Sequence, residues 1–269
     1  MNMVNSMKKR VISAIIALII VVPLILIGGY AYYIGVGIMA IIGFREIVSV
    51  REKEKKIPMI MKAITLVSYL AIVMSGINKI TFDIDHRLII LNIFACLIPL
   101  IAMERKKYDA EDALVLLAAT LFLGMSFNFL IVIRNMNILY LLYVVLITIM
   151  SDTFAHFWGS NIGNIKLCPN VSPNKTVEGM IGGTIFGTFI GTAFFLTFIN
   201  VEAKVFLVGI ISLCLSLVAQ FGDLVFSSIK RKYGVKDYGN IMPGHGGVLD
   251  RLDSIIFAIL AFSYLLTIF

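Results

Sequence analysis

Charged residues are scarce in this chain of 269 residues, at 14% of the total, while hydrophobic residues reach 59%. Soluble domains carry roughly 25% charged and roughly 45–50% apolar residues. The mean hydropathy is +0.97, and the shortage of charge recurs along the whole chain. The composition therefore excludes a water-soluble core and predicts an all-α, polytopic bundle of transmembrane helices.

Cysteine is also rare, because Cys96, Cys168 and Cys214 lie far apart and form no CxxC pair. This spacing argues against a disulfide framework and against a cysteine-based zinc site. No solenoid repeat, low-complexity tract or linker interrupts the chain. We expect a single membrane domain over residues 1–269, with N-terminal helices in 1–150 and catalytic helices and loops in 151–269.

Acidic residues are fewer than basic ones, 16 against 23, which leaves a formal net charge of +7. In a membrane protein such an excess first reports topology, so we expect no nucleic-acid partner. Nine apolar stretches can be marked, and most approach the roughly 20 residues that cross a bilayer. They are 11–29, 31–48, 59–77, 88–103, 110–132, 137–157, 177–199, 204–229 and 252–269.

The orientation follows from the distribution of Lys and Arg over the connecting segments. With the N-terminus in the cytoplasm, all but four of the 23 basic residues fall on the cytoplasmic side. This asymmetry is what the positive-inside rule predicts. We therefore expect about nine spans in the cell membrane, with the N-terminus cytoplasmic and the C-terminus outside. The four basic residues on the outer side are Lys79, Arg87, Arg134 and Lys204.

One carboxylate, Asp223, lies inside an apolar helix about two turns from its basic cytoplasmic end. A charged group in hydrocarbon costs several kcal/mol, so it normally faces a partner, an ion or a wet cavity. Helical spacing places Ser227, Lys230 and Arg231 on the same face. The stripe predicts a polar site, although an ion pair that only stabilises packing would explain Asp223 as well.

A second candidate region follows that helix, in the cytoplasmic loop about 230–251. Glycines flank His245, and backbone N–H groups of such loops can approach phosphates. Asp250 and Asp253 open the last span, where helix capping explains one acid. Capping does not explain why two adjacent spans each carry an acid, Asp223 and Asp250, near the same membrane–water interface. We therefore predict that Asp223 and Asp250 share a divalent cation, Mg²⁺ beside phosphates.

The other long cytoplasmic loop, about 158–176, precedes the seventh span. Ser, Lys and Thr immediately before a helix fit phosphate binding at its N-terminus, although Thr176 also suits an ordinary helix cap. By contrast, Arg45 and Glu46 read as a solvated segment facing lipid headgroups. Glu111 and Asp112 read as simple charges at a helix N-terminus.

The segment from Ser228 to Asp253, with Lys236-Asp237 and Gly246-Gly247 within it, resembles the signature of phosphatidate cytidylyltransferases, also called CDP-diacylglycerol synthases. Gly222-Asp223, Ser151-Asp152 and the run from Ser172 to Gly179 also resemble that family. These motifs cover the C-terminal part of the chain, and length and span count agree for the rest. Val177 departs from the usual Trp of the family, and Phe226 stands where an acid is common.

The resemblance implies conversion of phosphatidate and CTP into CDP-diacylglycerol and pyrophosphate at the cytoplasmic face. It implies Mg²⁺ on Asp223 and Asp250, with K⁺ as an optional second ion. The expected catalytic residues are Asp223, Asp250, Lys230, Arg231 and His245. The expected substrate-binding residues are Ser151, Asp152, Ser172, Lys175, Thr176, Glu178, Ser227, Lys236, Asp237, Gly246, Gly247, Arg251 and Asp253.

Two other readings stay open at this point. A CTP-dependent enzyme acting on another lipid, such as an isoprenoid alcohol kinase or an archaeol cytidylyltransferase, would use similar chemistry. A secondary transporter would place acids in the membrane to bind coupling ions, although here the polar residues gather in cytoplasmic loops. Association into a homodimer is also left open.

Overall fold

A computed structural model describes residues 2–241 and 246–268, with side chains described at residue 13 and over 15–241 and 246–267. The described chain is almost entirely helical. Its helices are α1 (Asn2–Ile27), α2 (Gly29–Arg51), α3 (Met59–Met74), α4 (His86–Leu97), α5 (Pro99–Ala102), α6 (Ala110–Met136), α7 (Ile138–Ile162), α8 (Val177–Phe194), α9 (Val205–Lys232) and α10 (Leu249–Ile268). A π-helical turn, Phe195–Ile199, continues α8.

Each of the nine predicted apolar stretches coincides with helical structure, so the prediction of a mainly helical chain is confirmed. Five helical segments have the length and composition to cross a membrane. They are Gly29–Arg51, Ala110–Met136, Ile138–Ile162, Val177–Ile199 and Val205–Lys232. Shorter apolar helices include Ile15–Ile27, Met59–Met74 and His86–Ala102.

Two features differ from the simple pattern of helices and loops. The fourth apolar stretch is divided at Pro99, which begins α5, because proline lacks the N–H that would continue a helix. The loop before α8 contains an antiparallel pair of strands, β1 (Lys166–Cys168) and β2 (Ser172–Thr176). Short polar strands of this kind carry no hydrophobic alternation, so periodicity did not reveal them.

The first compact unit comprises Met1–Met136 with Tyr233–Arg251. Tyr69 of α3 is fully buried, stacks on Phe44 and donates a hydrogen bond from its hydroxyl to the carbonyl of Ala40 at 3.1 Å. Asn128 of α6 donates to the carbonyl of Ile72 at 2.8 Å. A buried polar group without a partner would cost about 1–3 kcal/mol, so these bonds allow polar side chains inside an apolar bundle.

A buried ion pair in the same unit corrects the reading of Asp112 as a simple helix-terminal charge. Asp112 has no exposed surface, and Arg51 donates to its Oδ1 from Nε at 3.0 Å and from Nη2 at 2.9 Å. Lys55 reaches its Oδ2 at 2.7 Å. The sequence showed only the position of Asp112 in the first turn of α6, whereas tertiary packing places two cations beside it.

The second compact unit comprises Asn137–Lys232 with Leu252–Phe269. In it α7 and α8 approach closely along a stripe of glycines, Gly183, Gly187 and Gly191. A Cβ atom at Gly183 would lie 2.5 Å from the carbonyl oxygen of Ser151, and one at Gly191 would lie 2.5 Å from Ile147 Cγ1. Small residues at this spacing let helices pack backbone to backbone in membranes. The packing fixes the end of α7 against the start of α8.

Candidate active site

Part of the polar stripe predicted on α9 is present in the structure. The Ser227 hydroxyl donates to Asp223 Oδ1 at 3.2 Å, which confirms that the two side chains share a face. Lys230, one further turn along, is 7% exposed. Because α9 ends in the basic run Lys230–Lys232, the stripe leads from an apolar helix to its charged end.

Lys175 lies on β2 of the hairpin that β1 and β2 form, and its side chain reaches the polar stripe of α9. Its Nζ lies 2.5 Å from Asp223 Oδ2, and both side chains are about three-quarters buried. The position of Lys175 follows from its neighbour Thr176, whose hydroxyl caps α8 by accepting a hydrogen bond from the N–H of Gly179 at 3.1 Å. The residue before the cap is thereby placed beside α9.

Two more carboxylates complete what we call the acidic cluster, defined as Asp152, Asp223 and Asp253. Ser254 of α10 donates from its hydroxyl to Asp152 Oδ2 of α7 at 3.3 Å. Asp253 interacts electrostatically with Asp223, Asp152 and Lys230. Three helices of one unit thus contribute an acid each, and Lys175 and Lys230 leave the cluster with a partly compensated negative charge.

The chemistry of these donors fits a hard divalent cation. All the acidic ligands are carboxylate oxygens, which Mg²⁺ prefers, and Mg²⁺ is usually held by one or two carboxylates together with substrate phosphates and water. Among the described residues no group of three or more His, Cys, Asp or Glu side chains is arranged to hold a metal ion by itself. Carboxylates of this kind are the protein ligands that Mg²⁺ takes together with a phosphate substrate.

Asp250 orders the glycine-containing segment in the first compact unit. Its Oδ2 accepts hydrogen bonds from the N–H of Tyr238 at 2.8 Å and of Gly247 at 2.9 Å. Gly246 has a φ of +84°, a conformation that L side chains rarely adopt. A Cβ there would also lie 2.7 Å from Asp250 Oδ2. The predicted metal-binding role of Asp250 stays a prediction.

The sequence-based reading of Glu46 as a solvated residue facing headgroups is wrong. Glu46 is 5% exposed, and its carboxylate accepts hydrogen bonds from the N–H groups of Val248 and Leu249, each at 2.8 Å. A Cβ at Gly247 would lie 2.3 Å from Glu46 Oε1. The sequence did contain a signal for this role. Glu46 lies inside the predicted span 31–48, and an acid inside an apolar span is the criterion that singled out Asp223.

The remaining predicted residues divide by what their side chains contact. Glu178 accepts a hydrogen bond from the N–H of Ile165 at 3.1 Å, which closes the hairpin. Arg231 donates to the carbonyl of Val171 at 3.2 Å, which fastens the hairpin to α9. Ser151 is fully buried and bonds to Ser216 at 2.6 Å, so its hydroxyl serves helix packing.

The other predicted positions lie nearer the surface or outside the described part of the chain. Lys236, Asp237 and Arg251 are exposed, and Ser172 at the start of β2 is half-buried. His245 lies outside the described residues.

The structure thus defines a mainly helical protein with several helices long and apolar enough to cross a bilayer, and with carboxylates and lysines gathered at one site. Comparison with known proteins makes this more specific. The sequence model of the Cytidylyltransferase family matches residues 8–269, and the chain belongs to that family.

Curated relatives agree over nearly the whole length. A protein of Staphylococcus aureus (strain COL) named phosphatidate cytidylyltransferase is 35% identical over 258 residues. Proteins of the same name from Staphylococcus haemolyticus (strain JCSC1435) and Staphylococcus epidermidis (strain ATCC 35984) are 33% and 32% identical. Each match covers 94% of this chain and 96% of the relative.

Proposed function

We propose that the protein is a phosphatidate cytidylyltransferase, which converts CTP and phosphatidate into CDP-diacylglycerol and pyrophosphate. The observation that carries the proposal is the acidic cluster on three apolar helices, with Lys175 and Lys230 beside it. To bind a nucleoside triphosphate together with its cation, a site needs carboxylates for the cation and ammonium groups for the phosphates. Full-length similarity to relatives of that name supplies the lipid substrate.

The proposal includes a membrane topology of about nine spans with the N-terminus in the cytoplasm and the C-terminus outside. Five helices with the required length, three shorter apolar helices and α10 together support this count. The distribution of Lys and Arg supports the orientation. The active site then faces the cytoplasm, where CTP is available, while the acyl chains of the lipid stay in the bilayer.

The chemistry needs no strong general base, because a phosphate monoester is already an anionic nucleophile at neutral pH. A phosphate oxygen of phosphatidate attacks the α-phosphorus of CTP and forms a new P–O bond. The bond from the α-phosphorus to the bridging oxygen breaks, and pyrophosphate leaves with that electron pair. The protein must therefore position two anions in line and offset the charge that develops on the leaving group.

The charged residues in and beside the acidic cluster, together with Asp250, divide these tasks. Asp223 would hold the cation, the sequence predicts Asp250 as a second ligand, and Mg²⁺ would supply charge neutralisation on the phosphates. Lys175 pairs with Asp223 before substrate binds, and its ammonium group then pairs with a phosphate of the incoming substrate. Lys230, nearly buried, supplies a second fixed positive charge. Arg231 keeps the hairpin beside α9.

The rival readings have less support. The names of the curated relatives specify phosphatidate as the substrate, and not an isoprenoid alcohol or archaeol. Lysines against a carboxylate cluster suit a substrate with several phosphates better than a coupling ion alone. K⁺ as a second ion and association into a homodimer stay predictions of the sequence.

A panel of lipids tests the proposal directly. The purified protein, in neutral phospholipid vesicles, is offered CTP with phosphatidate, dolichol-type alcohol or an archaeal ether lipid phosphate, with and without Mg²⁺. Pyrophosphate release and transfer of labelled cytidine into lipid are measured. The expected result is Mg²⁺-dependent turnover with phosphatidate. Cytidylyl transfer to none of these lipids, or a clear preference for another lipid, would overturn the proposal.

A further inference from the structure

We infer that a cavity between the end of α2 and the start of α3 binds the headgroup of an anionic lipid that carries a phosphate monoester. The cavity encloses about 530 Å³ and lies within one compact unit. Sites for small ligands usually enclose about 300–1,000 Å³. None of the residues that line it belongs to the acidic cluster.

The charge in the cavity fits such a headgroup. Lys62 is paired with Glu52, with Nζ 2.7 Å from Oε1, so the one acid that lines the cavity already has its cation. Arg45 and Lys56 also line the cavity and are exposed. Across the described residues neither has an ion-pair partner. Two uncompensated positive charges match a phosphate monoester, which carries about −1.5 to −2 at pH 7, better than a singly charged phosphodiester.

The apolar side of the cavity fits the rest of a lipid. Phe44, Val48 and Ile57 line it with buried apolar surface. Met59, at its edge, is 84% exposed, and the neighbouring Ile60 is 61% exposed. Exposed apolar side chains on a membrane helix contact acyl chains, so a lipid can keep its tails along α3 while its phosphate enters the cavity.

The identity of the ligand rests on the proposed function in one respect. The proposed orientation puts residues 52–58 at the cytoplasmic headgroup level, where basic side chains attract anionic lipids. A phosphate-monoester lipid is also the class of substrate that the proposed reaction consumes. The cavity is then a site for that lipid class, filled from the membrane, whose lining includes no residue of the acidic cluster.

Photolabelling locates the site without relying on activity. The purified full-length protein, in phosphatidylcholine nanodiscs, is irradiated with a phosphatidate that carries a diazirine near the head of one acyl chain, and the labelled peptides are identified by mass spectrometry. Label is expected on residues 57–66. Unlabelled phosphatidate should compete about tenfold better than phosphatidylglycerol. Equal competition by the two lipids would overturn the phosphate-monoester assignment.

Two kinds of variant test the two halves of the argument. R45Q/K56Q removes the free cations and should reduce labelling of residues 57–66 about tenfold. R105Q/K106Q makes the same charge change at exposed positions and should label like the wild type. Ala63→Phe fills the cavity from its exposed edge without changing charge, and it should also reduce labelling.

The outcomes separate this inference from the proposed function. Labelling that depends on Arg45 and Lys56 in a protein that makes no CDP-diacylglycerol would refute the reaction and leave the lipid site standing. CDP-diacylglycerol synthesis with no label on residues 57–66, or with label that R45Q/K56Q does not reduce, would refute the lipid site alone.

Discussion

The carboxylate of Glu46 on α2 accepts a hydrogen bond at 2.8 Å from the N–H of Leu249, the first residue of α10 and 203 positions further along the chain. The N–H of Val248 uses the other carboxylate oxygen. The first N–H groups of a helix lack intrahelical partners, so a side chain from a distant helix here takes the place of a local cap. Glu46 thereby fixes the segment that also contains Gly247 and Asp250.

Replacing Glu46 by Gln should weaken this segment. An amide has one acceptor oxygen, so one buried N–H would lose its partner, at a cost of about 1–3 kcal/mol. We expect lower thermal stability and a higher KM for CTP, measured by thermal unfolding in detergent and by cytidylyl transfer. Glu104→Gln, at an exposed position, is the control. If Glu46→Gln kept wild-type stability and KM, Glu46 would not position the segment.

Replacing Asp223 by Asn should abolish most of the activity. The change keeps the size of the side chain but removes the charge that holds a cation, and we expect kcat to fall about a hundredfold or more. The concentration of Mg²⁺ that gives half-maximal activity should rise. Asp83→Asn, at an exposed position outside the cluster, should be neutral in the same assay. Normal incorporation of labelled CTP into lipid by correctly inserted Asp223→Asn protein would disprove the site.

Replacing Lys175 by Met should affect nucleotide binding more than folding. Lys175 is the cation paired with Asp223, and its loss leaves a carboxylate uncompensated and removes the proposed phosphate ligand. We expect KM for CTP to rise about tenfold. Lys166→Met on the neighbouring strand, where the side chain is exposed, serves as the control. Equal KM values for the two variants would show that Lys175 contacts no substrate.

The pair formed by Lys55 and Asp109 should give part of the stability a pH dependence. The hydrogen bond that Lys55 donates, at 2.6 Å, holds the pKa of Asp109 below its ordinary value. A lowered pKa in the folded state contributes stability above the ordinary pKa of Asp, about 3.9, and that contribution is lost as pH falls through the lowered value. Thermal unfolding of wild type and Asp109→Asn, followed from pH 6 to pH 3, checks this. Their difference should shrink on acidification, and a constant difference would contradict the prediction.

Much of the helical layout could be read from hydropathy, because a helix in a bilayer must be apolar over most of its length whatever it packs against. The stripe of Asp223 and Ser227 followed equally from helical spacing, which is a local property. The capping role of Thr176 was also visible as an alternative, since a cap depends only on residues within one turn. By contrast, the hairpin before α8 has no alternating apolar pattern and was not predicted.

What the sequence alone determined is a mainly helical chain with several long apolar segments, whose charged residues gather on a few helix ends and loops. What the tertiary structure decided is which charges meet. Glu46 and Asp112 looked like ordinary surface acids, and both are buried against partners that lie far away in the chain. Asp152 and Asp253 join Asp223 only because three helices pack together. Hydropathy and helical spacing act over a few neighbouring residues, whereas the pairing of charges depends on contacts between segments, and no local pattern encodes those.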